Sequence, residues 1–565
     1  MTPYSVTLPF RKEVRDLSEA FSSRTRRFGC PSCGGGLQYD ISSGMMLCDR
    51  CGGRTPLDHL PDDSDAEARG SGTMQVTEFH CPQCGAVVYS TDTSVTGFCS
   101  FCGSDVVLTG KLGHTLRPKT IVPFTITRED CEARYRDHLK HFHLTPASLK
   151  SAETIGHFRP VYVPFWVYGV ESSGAAELKG AKSYTKGNYR YSEEYKLLMH
   201  ADIDQKDILY DASTAFEDET AAMLQHTAAD AVPFHAAYLS GFYAQASNVP
   251  AETYQDEAAA TAVRLFMARV KAEYGMDSVE MAGNIGDSFG LPNARYTQQL
   301  TMMPVWLLAH RTGDRVVYTA INGRSGQVVC DVPVSTGKVA GVALALAAGL
   351  FALLHLFVTL KPDMLMLFCA LLLLITQYQF SSAQKLLQNR RTRAFEPDFT
   401  GAKATFTGPA QAMLKRTGTT VAMASGIKEK AKQVSSIAFS VIIVIFFTVL
   451  SRAQELLRPF SPFSGASGRM FMLIGMAILT VVMVIHVLRK AKTGGTATLI
   501  PRVVSCVACA AGTIFLALGQ VEDLLYYACA AAMLAAACWE LVIINRAHNE
   551  YASRPVPFFG EEAAS

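Results

Sequence analysis

Apolar residues are distributed unevenly along this 565-residue chain, and their pattern changes near residue 338. Beyond that point they run together in blocks: Val339–Leu360, Met364–Phe380, Val434–Leu450, Met470–Leu488, Val503–Leu518 and Leu524–Ile544. Each block has about the length a helix needs to cross the hydrocarbon core of a bilayer, so six transmembrane helices are expected. Only Lys361-Pro-Asp363 joins the first two. Residues 338–380 therefore read as a transmembrane hairpin, and 434–545 as four further spans.

Before residue 338 the apolar positions alternate or recur at helical spacing. Thr127-Arg-Glu-Asp130 resembles a capping box with Asp in the last place and opens a helix to Phe142. Val161–Val170 alternates around Pro164-Phe-Trp166 and reads as a strand, placed at a sheet edge because proline has no N–H for the ladder. Further helices are expected over 217–230 and from Thr253 to Tyr274. Gln299–His310, Arg315–Ile321 and Gln327–Val332, with turns at Thr312-Gly-Asp314 and Asn322-Gly323, predict a three-stranded antiparallel meander. Pro164-Phe-Trp166 and Pro304-Val-Trp306 mark a weak internal repeat. Residues 109–335 thus read as an α+β soluble domain with an antiparallel sheet, long enough for one substantial core.

Cysteine spacing adds two more modules. Eight of the fifteen cysteines form four Cys-x-x-Cys pairs, in two units with fourteen residues between the pairs of each. Cys30, Cys33, Cys48 and Cys51 make the first unit, and Cys81, Cys84, Cys99 and Cys102 the second. A glycine follows each second cysteine of a pair (Gly34, Gly52, Gly85 and Gly103) and lets the backbone turn beneath the thiolates. This is the pattern of two zinc ribbons, over 28–55 and 78–108. Four thiolates close a tetrahedral site, so two structural Zn²⁺ ions are expected, with no open position for catalysis. Residues 56–77, containing Pro61-Asp-Asp-Ser-Asp-Ala-Glu67, read as an acidic flexible linker. Residues 1–27 are polar and basic, with Val14, Leu17 and Phe21 at helical spacing and no apolar run of the signal-peptide type.

Charge supplies an orientation. The chain as a whole is near neutral at +2, but the 381–433 loop carries ten Lys/Arg against three Asp/Glu. The Arg489–Arg502 loop adds four Lys/Arg and no acid, and the loop after span five holds Glu522 and Asp523. The external loop 452–469 would hold three arginines. Retention of basic loops on the cytoplasmic side then places the N-terminus, both basic loops and the 546–565 tail in the cytoplasm. Reduced zinc thiolates belong in the same compartment.

The string Ile121-Val-Pro-Phe124, Tyr162-Val-Pro-Phe-Trp166, Asp211-Ala-Ser213, Leu239-Ser-Gly-Phe242, Pro304-Val-Trp306 and Asn322-Gly-Arg-Ser-Gly326 resembles a bacterial family of membrane proteins carrying TFIIB-type zinc ribbons. The resemblance covers roughly 28–335 and the following hairpin. It implies a multi-pass protein of the bacterial plasma membrane that serves envelope-stress machinery. The implied partners are cytosolic proteins of the SPFH-domain or phage-shock A type.

Other chemistry finds little footing. There is no phosphate-binding Gly-x-x-x-x-Gly-Lys motif, no Gly-x-Ser-x-Gly elbow and no His-Glu-x-x-His, so the chain does not read as an enzyme. Gly283–Gly290 reads as a loop, Cys131 as packing, and Trp166 and Trp306 as core anchors. His141 and His143 face different directions on a helix end. Three functional classes follow. The first is a membrane-anchored adaptor or scaffold that recruits a protein partner. The second is a nucleic-acid-binding or regulatory protein, disfavoured because Arg50 is the single Lys/Arg within 28–53 and 80–103. The third is a transporter or channel, for which His355, His486 and Glu540 are the ionisable candidates. Glu540 is expected to snorkel or to pair with Arg546, near the end of its span. A homo-oligomer stays open.

Overall fold

The computed structural model describes residues 28–60, 72–90, 96–107, 109–186, 189–214, 218–224, 226–281, 289–357, 365–379, 412–423, 466–491, 496–518 and 523–557. They fall into two units, one within Met1–Val332, Ala394–Ala424 and Ser553–Ser565, the other within Pro333–Arg393 and Ser425–Ala552.

The first unit opens with a small antiparallel sheet, β1 (Leu37–Asp40), β2 (Met45–Cys48) and β3 (Arg54–Thr55). Alternation along β1 buries Leu37 and Tyr39 and leaves Gln38 in solvent. β4 (Thr73–His80), β5 (Val87–Ser90), the hairpin β6 (Thr96–Phe98) and β7 (Asp105–Val107), and β8 (Thr109–Leu116) follow. β4 pairs with both β5 and β8. The linker expected over 56–77 is therefore shorter, because Thr73–Thr77 already lies in a strand ladder. Its central part, 61–71, lies outside the described residues.

Next come β9 (Thr120–Ile121) and helix α1 (Arg128–Lys140). The Thr127 hydroxyl accepts from the Asp130 N–H at 3.2 Å, as the capping pattern predicts, and Cys131, Tyr135 and Leu139 form the buried face. The strand expected at 161–170 is the start of β10 (Arg159–Lys186), which turns back into β11 (Tyr189–Asp211). Much of this long hairpin is half-exposed and polar, and so escaped a search for apolar alternation. The helix expected over 217–230 is only α2 (Asp218–Met223), since His226 turns inward to bond Asn322 at 3.2 Å. β12 (Val232–Pro233), β13 (Tyr243–Ala244), α3 (Gln255–Glu273) and β14 (Ser278–Met281) lead to the predicted meander. Its strands are β15 (Arg295–Thr312), β16 (Arg315–Asn322) and β17 (Val328–Cys330). Of Gly283–Gly290, only Phe289 and Gly290 are described; both have positive φ.

β10 and β15 are antiparallel neighbours in a fourteen-stranded sheet, mostly antiparallel with two short parallel pairings. Val163 faces Met303, and around this pair the two Pro-x-Trp segments are related by a local two-fold axis. Before Pro164, β10 is flanked by β13; after it, by β11. Before Pro304, β15 is flanked by β9; after it, by β16. Each proline thus occupies the gap where one neighbour ends and the next begins, where a missing N–H costs least. Pro164 does not mark an edge, as its sequence suggested; it lies at the centre of the sheet. The hydrogen bonds repeat too. Ala212 donates to Pro164 O and Gly323 to Pro304 O; Trp166 Nε1 donates to Val249 O at 2.8 Å and Trp306 Nε1 to Ile126 O at 2.9 Å. The internal repeat is thus a duplicated unit of short strand, helix and hairpin: β9–α1–β10–β11 and β13–α3–β15–β16.

Two later segments return to this sheet. Within the expected 381–433 loop, Ala412–Met423 forms β18 against β11. The expected 546–565 tail is helical to Tyr551, and β19 (Arg554–Pro555) then pairs with Arg315 and Val316 of β16.

The second unit contains α4 (Thr336–Phe357), α5 (Leu365–Gln379), α6 (Ala466–Ala491), α7 (Thr496–Ala517) and α8 (Asp523–Tyr551). Among the described residues one helix, α8, is long and apolar enough to cross a bilayer. Thr336–Ala345, Leu365–Gln379, Leu473–Ile485 and Arg502–Ala517 are shorter apolar helices. The span expected at Val434–Leu450 and the side chains of His355 and His486 lie outside the described set. Gly512 admits Met366, Met476 and Met533 so closely that a Cβ there would meet the Met366 sulfur at 2.9 Å, the close packing that a small residue allows between helices. Glu540 neither snorkels nor reaches toward Arg546; it is fully buried and accepts hydrogen bonds from Thr376 and Ser505.

The two-fold relation also exposes a size exchange. A Cβ on Gly323 would lie 2.5 Å from the Phe124 ring and 2.8 Å from Pro304 Cβ. At the related positions stand Ala212 and Ser247, a larger residue facing a smaller one. Gly323→Ala should therefore lower unfolding stability by about 1–3 kcal/mol, and Phe124→Leu should recover part of the loss. Denaturant titration of the full chain, followed by tryptophan fluorescence, measures both. Additive losses would show that the two residues do not compete for space.

Candidate metal centres

Each cysteine pair is held by the same two backbone bonds. The amide of the first cysteine donates to the carbonyl five residues on, as in Cys30 N to Gly35 O and Cys81 N to Ala86 O. The following glycine donates back, as in Gly34 N to Cys30 O and Gly85 N to Cys81 O. Cys48 and Cys99 repeat the arrangement with Gly52 and Gly103. Closing this turn requires a left-handed residue, and Gly34, Gly52, Gly85 and Gly103 have φ of 69°, 69°, 76° and 69°.

The turns bring the eight predicted cysteines into two groups of four, with the Sγ atoms of each group within 4.8 Å of one another. Sγ–Sγ separations are 3.7 Å for Cys30–Cys51, 3.5 Å for Cys33–Cys48, and 3.8 Å for both Cys81–Cys102 and Cys84–Cys99. A tetrahedron with metal–sulfur bonds of about 2.3 Å has edges of roughly 3.8 Å, so both groups are compatible with zinc. The Ser32 and Cys33 amides pull the Cys30 thiol down to about 6. In the second group the neighbouring thiols Cys102 and Cys99 push Cys84 up, while Cys84 and Cys99 hold Cys102 down. Four thiolates this close repel one another, and a divalent cation relieves that repulsion.

The two centres differ in setting. In the first, Cys51 is exposed and Cys33 half-buried; in the second, all four cysteines are buried. Both are docked on the central domain. The Tyr39 amide donates to Ser240 O at 3.1 Å, Ser240 Oγ donates to Leu37 O at 2.6 Å, and the Tyr39 ring packs on Tyr238 and Phe242. At the second centre, Arg311 donates to Ser104 Oγ at 2.8 Å and the Tyr318 hydroxyl donates to Phe101 O. Arg554 stacks over Tyr318, and Val556 packs against the cysteine core. None of these partners carries a metal-binding signal in sequence.

Other candidates stay apart. His141 and His143 are exposed, Cys131 is buried in the domain core, and both Trp166 and Trp306 are core residues. Among the described residues, the two four-cysteine groups are the clusters able to hold a metal ion.

The chain is similar to protein YdjG of Bacillus subtilis (strain 168), described only as uncharacterized, with 28% identity over 335 residues. The match covers 58% of this chain and 96% of YdjG. No family model matches the chain, and no solved structure matches it.

The difference in burial predicts two rates of metal loss. A chelator added to the full chain should release one metal equivalent quickly and a second slowly. Cys51→Ser should remove the fast phase and Cys102→Ser the slow one, as read by a chromogenic metal indicator. A single phase of two equivalents would mean that the centres open together.

Proposed function

We propose that this protein is a membrane-anchored zinc-ribbon adaptor that holds cytosolic protein partners at the inner face of the plasma membrane. The observation that carries this reading is the way one sheet is assembled. It takes strands before the apolar helices (β17), between them (β18) and after the last of them (β19). Strands of one sheet share one side of a bilayer, so the chain crosses an even number of times in each intervening stretch. Taken as spans, α4 and α5 give two crossings in the first. Taken likewise, α6, α7 and α8 give three in the second, and the expected span at Val434–Leu450 makes four. Basic loops and reduced thiolates favour the cytoplasmic side for the sheet.

Recognition rather than catalysis suits the ribbons, because four sulfur ligands fill the coordination shell of each metal. The first ribbon also presents a cleft of about 530 Å³ lined by Phe28, Gly29, Gly34, Gly35, Gly36, Asp49 and Arg50. Four of its lining residues are glycines, and Asp49 and Arg50 contribute one charge of each sign to a docking segment. The class of partner, SPFH-domain or phage-shock A-like proteins of the envelope-stress response, rests on the resemblance of the sequence motifs.

Two measurements test this. Reporter fusions within 412–423 and after Ser553 should both read cytoplasmic, with a fusion at Ser464 reading external; a cytoplasmic Ser464 removes the even-crossing scheme. In cells, Gly35→Val should disperse a membrane-recruited SPFH or phage-shock A-type partner while the protein itself stays in the membrane fraction. The added side chain would press on Arg50 Cβ at 2.8 Å and on the Cys48 and Cys33 sulfurs at 3.0 and 3.3 Å, and so would distort the first cysteine cluster and the cleft wall beside it. Recruitment that survives both this change and Cys30→Ser would overturn the adaptor reading.

A further inference from the structure

An anchor needs no ionisable group inside its helices, yet the helical unit contains a buried carboxylate with partners on three helices. Glu540 of α8 is fully buried. Its Oε1 accepts from Ser505 of α7 at 2.9 Å, and its Oε2 from Thr376 of α5 at 3.0 Å. Arg502, one turn before Ser505, is 1% exposed and lies within electrostatic reach of the carboxylate. Gln377, beside Thr376, is also fully buried, and its side-chain amide lies against the Glu540 carboxylate. Among the described residues, the charged and titratable groups facing Glu540 are Arg502 and Cys506 of α7. α5 brings only the neutral Thr376 and Gln377.

Interlocking of helices does not require this arrangement. In the same unit Thr480 of α6 and Thr513 of α7 bond to each other at 3.0 Å without any charge. A buried carboxylate and guanidinium cost several kcal/mol in lost hydration, and ionisable groups at such places mark ion or proton chemistry by default. The surroundings of Glu540 provide for two protonation states. As a carboxylate it has two hydroxyl donors and a nearby guanidinium. As an acid it gains an O–H donor, and the Gln377 amide beside it has an oxygen that can accept.

We propose that Glu540 is a proton-binding site, at which a proton from the aqueous phase and the Arg502 guanidinium compete for one carboxylate. Binding the proton converts carboxylate to acid, directs its O–H to Gln377 and frees Arg502 from its counter-charge. The site is independent of partner recruitment by the ribbons.

Infrared difference spectroscopy on the full chain in lipid nanodiscs tests this, as the pH is raised from about 5 to about 9, the span that buried glutamates can reach. The wild type should lose a protonated-carboxyl band that is missing from Glu540→Gln. Arg502→Gln removes the competitor, so the band should persist to higher pH. Gln377→Leu removes the amide that contacts the carboxyl group, so the band should move to higher frequency. Should Glu540→Gln fail to fold, Glu540→Asp keeps the test, since it retains a titrating carboxyl with a displaced band. A difference spectrum unchanged by the Glu540 substitutions, or a band that moves with neither Arg502 nor Gln377, would make Glu540 a fixed carboxylate and overturn the proposal.

Discussion

The antiparallel pairing of β10 with β15 is the constraint on which the rest of the sheet unit depends. With Val163 opposite Met303, the strands flanking the two prolines follow in matched pairs, β13 with β9 and β11 with β16. A proline in the middle of a sheet is ordinarily destabilising, because its neighbour loses a ladder bond. Here Pro164 and Pro304 sit where no neighbour is complete, and their carbonyls still accept from Ala212 and Gly323. The indoles two residues on then bond the loops that lead into α3 and α1. The two units share the backbone and indole hydrogen bonds around their prolines but differ in side-chain volume, as the exchange of Gly323 with Phe124 for Ala212 with Ser247 illustrates.

The metal centres are local in their turns and global in their placement. Each knuckle is closed by bonds spanning a few residues, which explains why the cysteine and glycine spacing alone is so informative. Yet the ribbons lack the apolar volume to stand free, and both bury a face on the central domain. Tyr39 enters the aromatic core that includes Phe124, Tyr162, Phe242 and Trp306, and Cys30 and Cys48 border the same cluster. The second ribbon meets β16 and the strap that follows α8, through Tyr318, Arg554 and Val556. Metal binding and folding of the domain are therefore linked processes. For the adaptor role proposed above, knuckles held in this way would lose less entropy when a partner docks.

Short-range chemistry was legible in the sequence. The eight cysteines, their glycines, the Thr127 cap, α3 and the meander are each specified by residues close together along the chain. The Pro-x-Trp repeat was visible too, as two short echoes. Tertiary structure alone decided how these parts are used. Pro164 read as an edge marker because its missing donor is a local property, whereas the gap it fills is made by β13 and β11, far away in sequence. The β10–β11 hairpin and β18 escaped notice because half-exposed strands carry a weak apolar alternation and are held by each other's backbones. Glu540 looked like an interfacial residue four positions from the end of an apolar run; its burial depends on Thr376 and Ser505, which α5 and α7 bring to it. Spacing along one chain fixes turns, caps and ligand sets. Which surfaces are covered, and which charges are shut away from water, depends on neighbours that only the folded chain assembles.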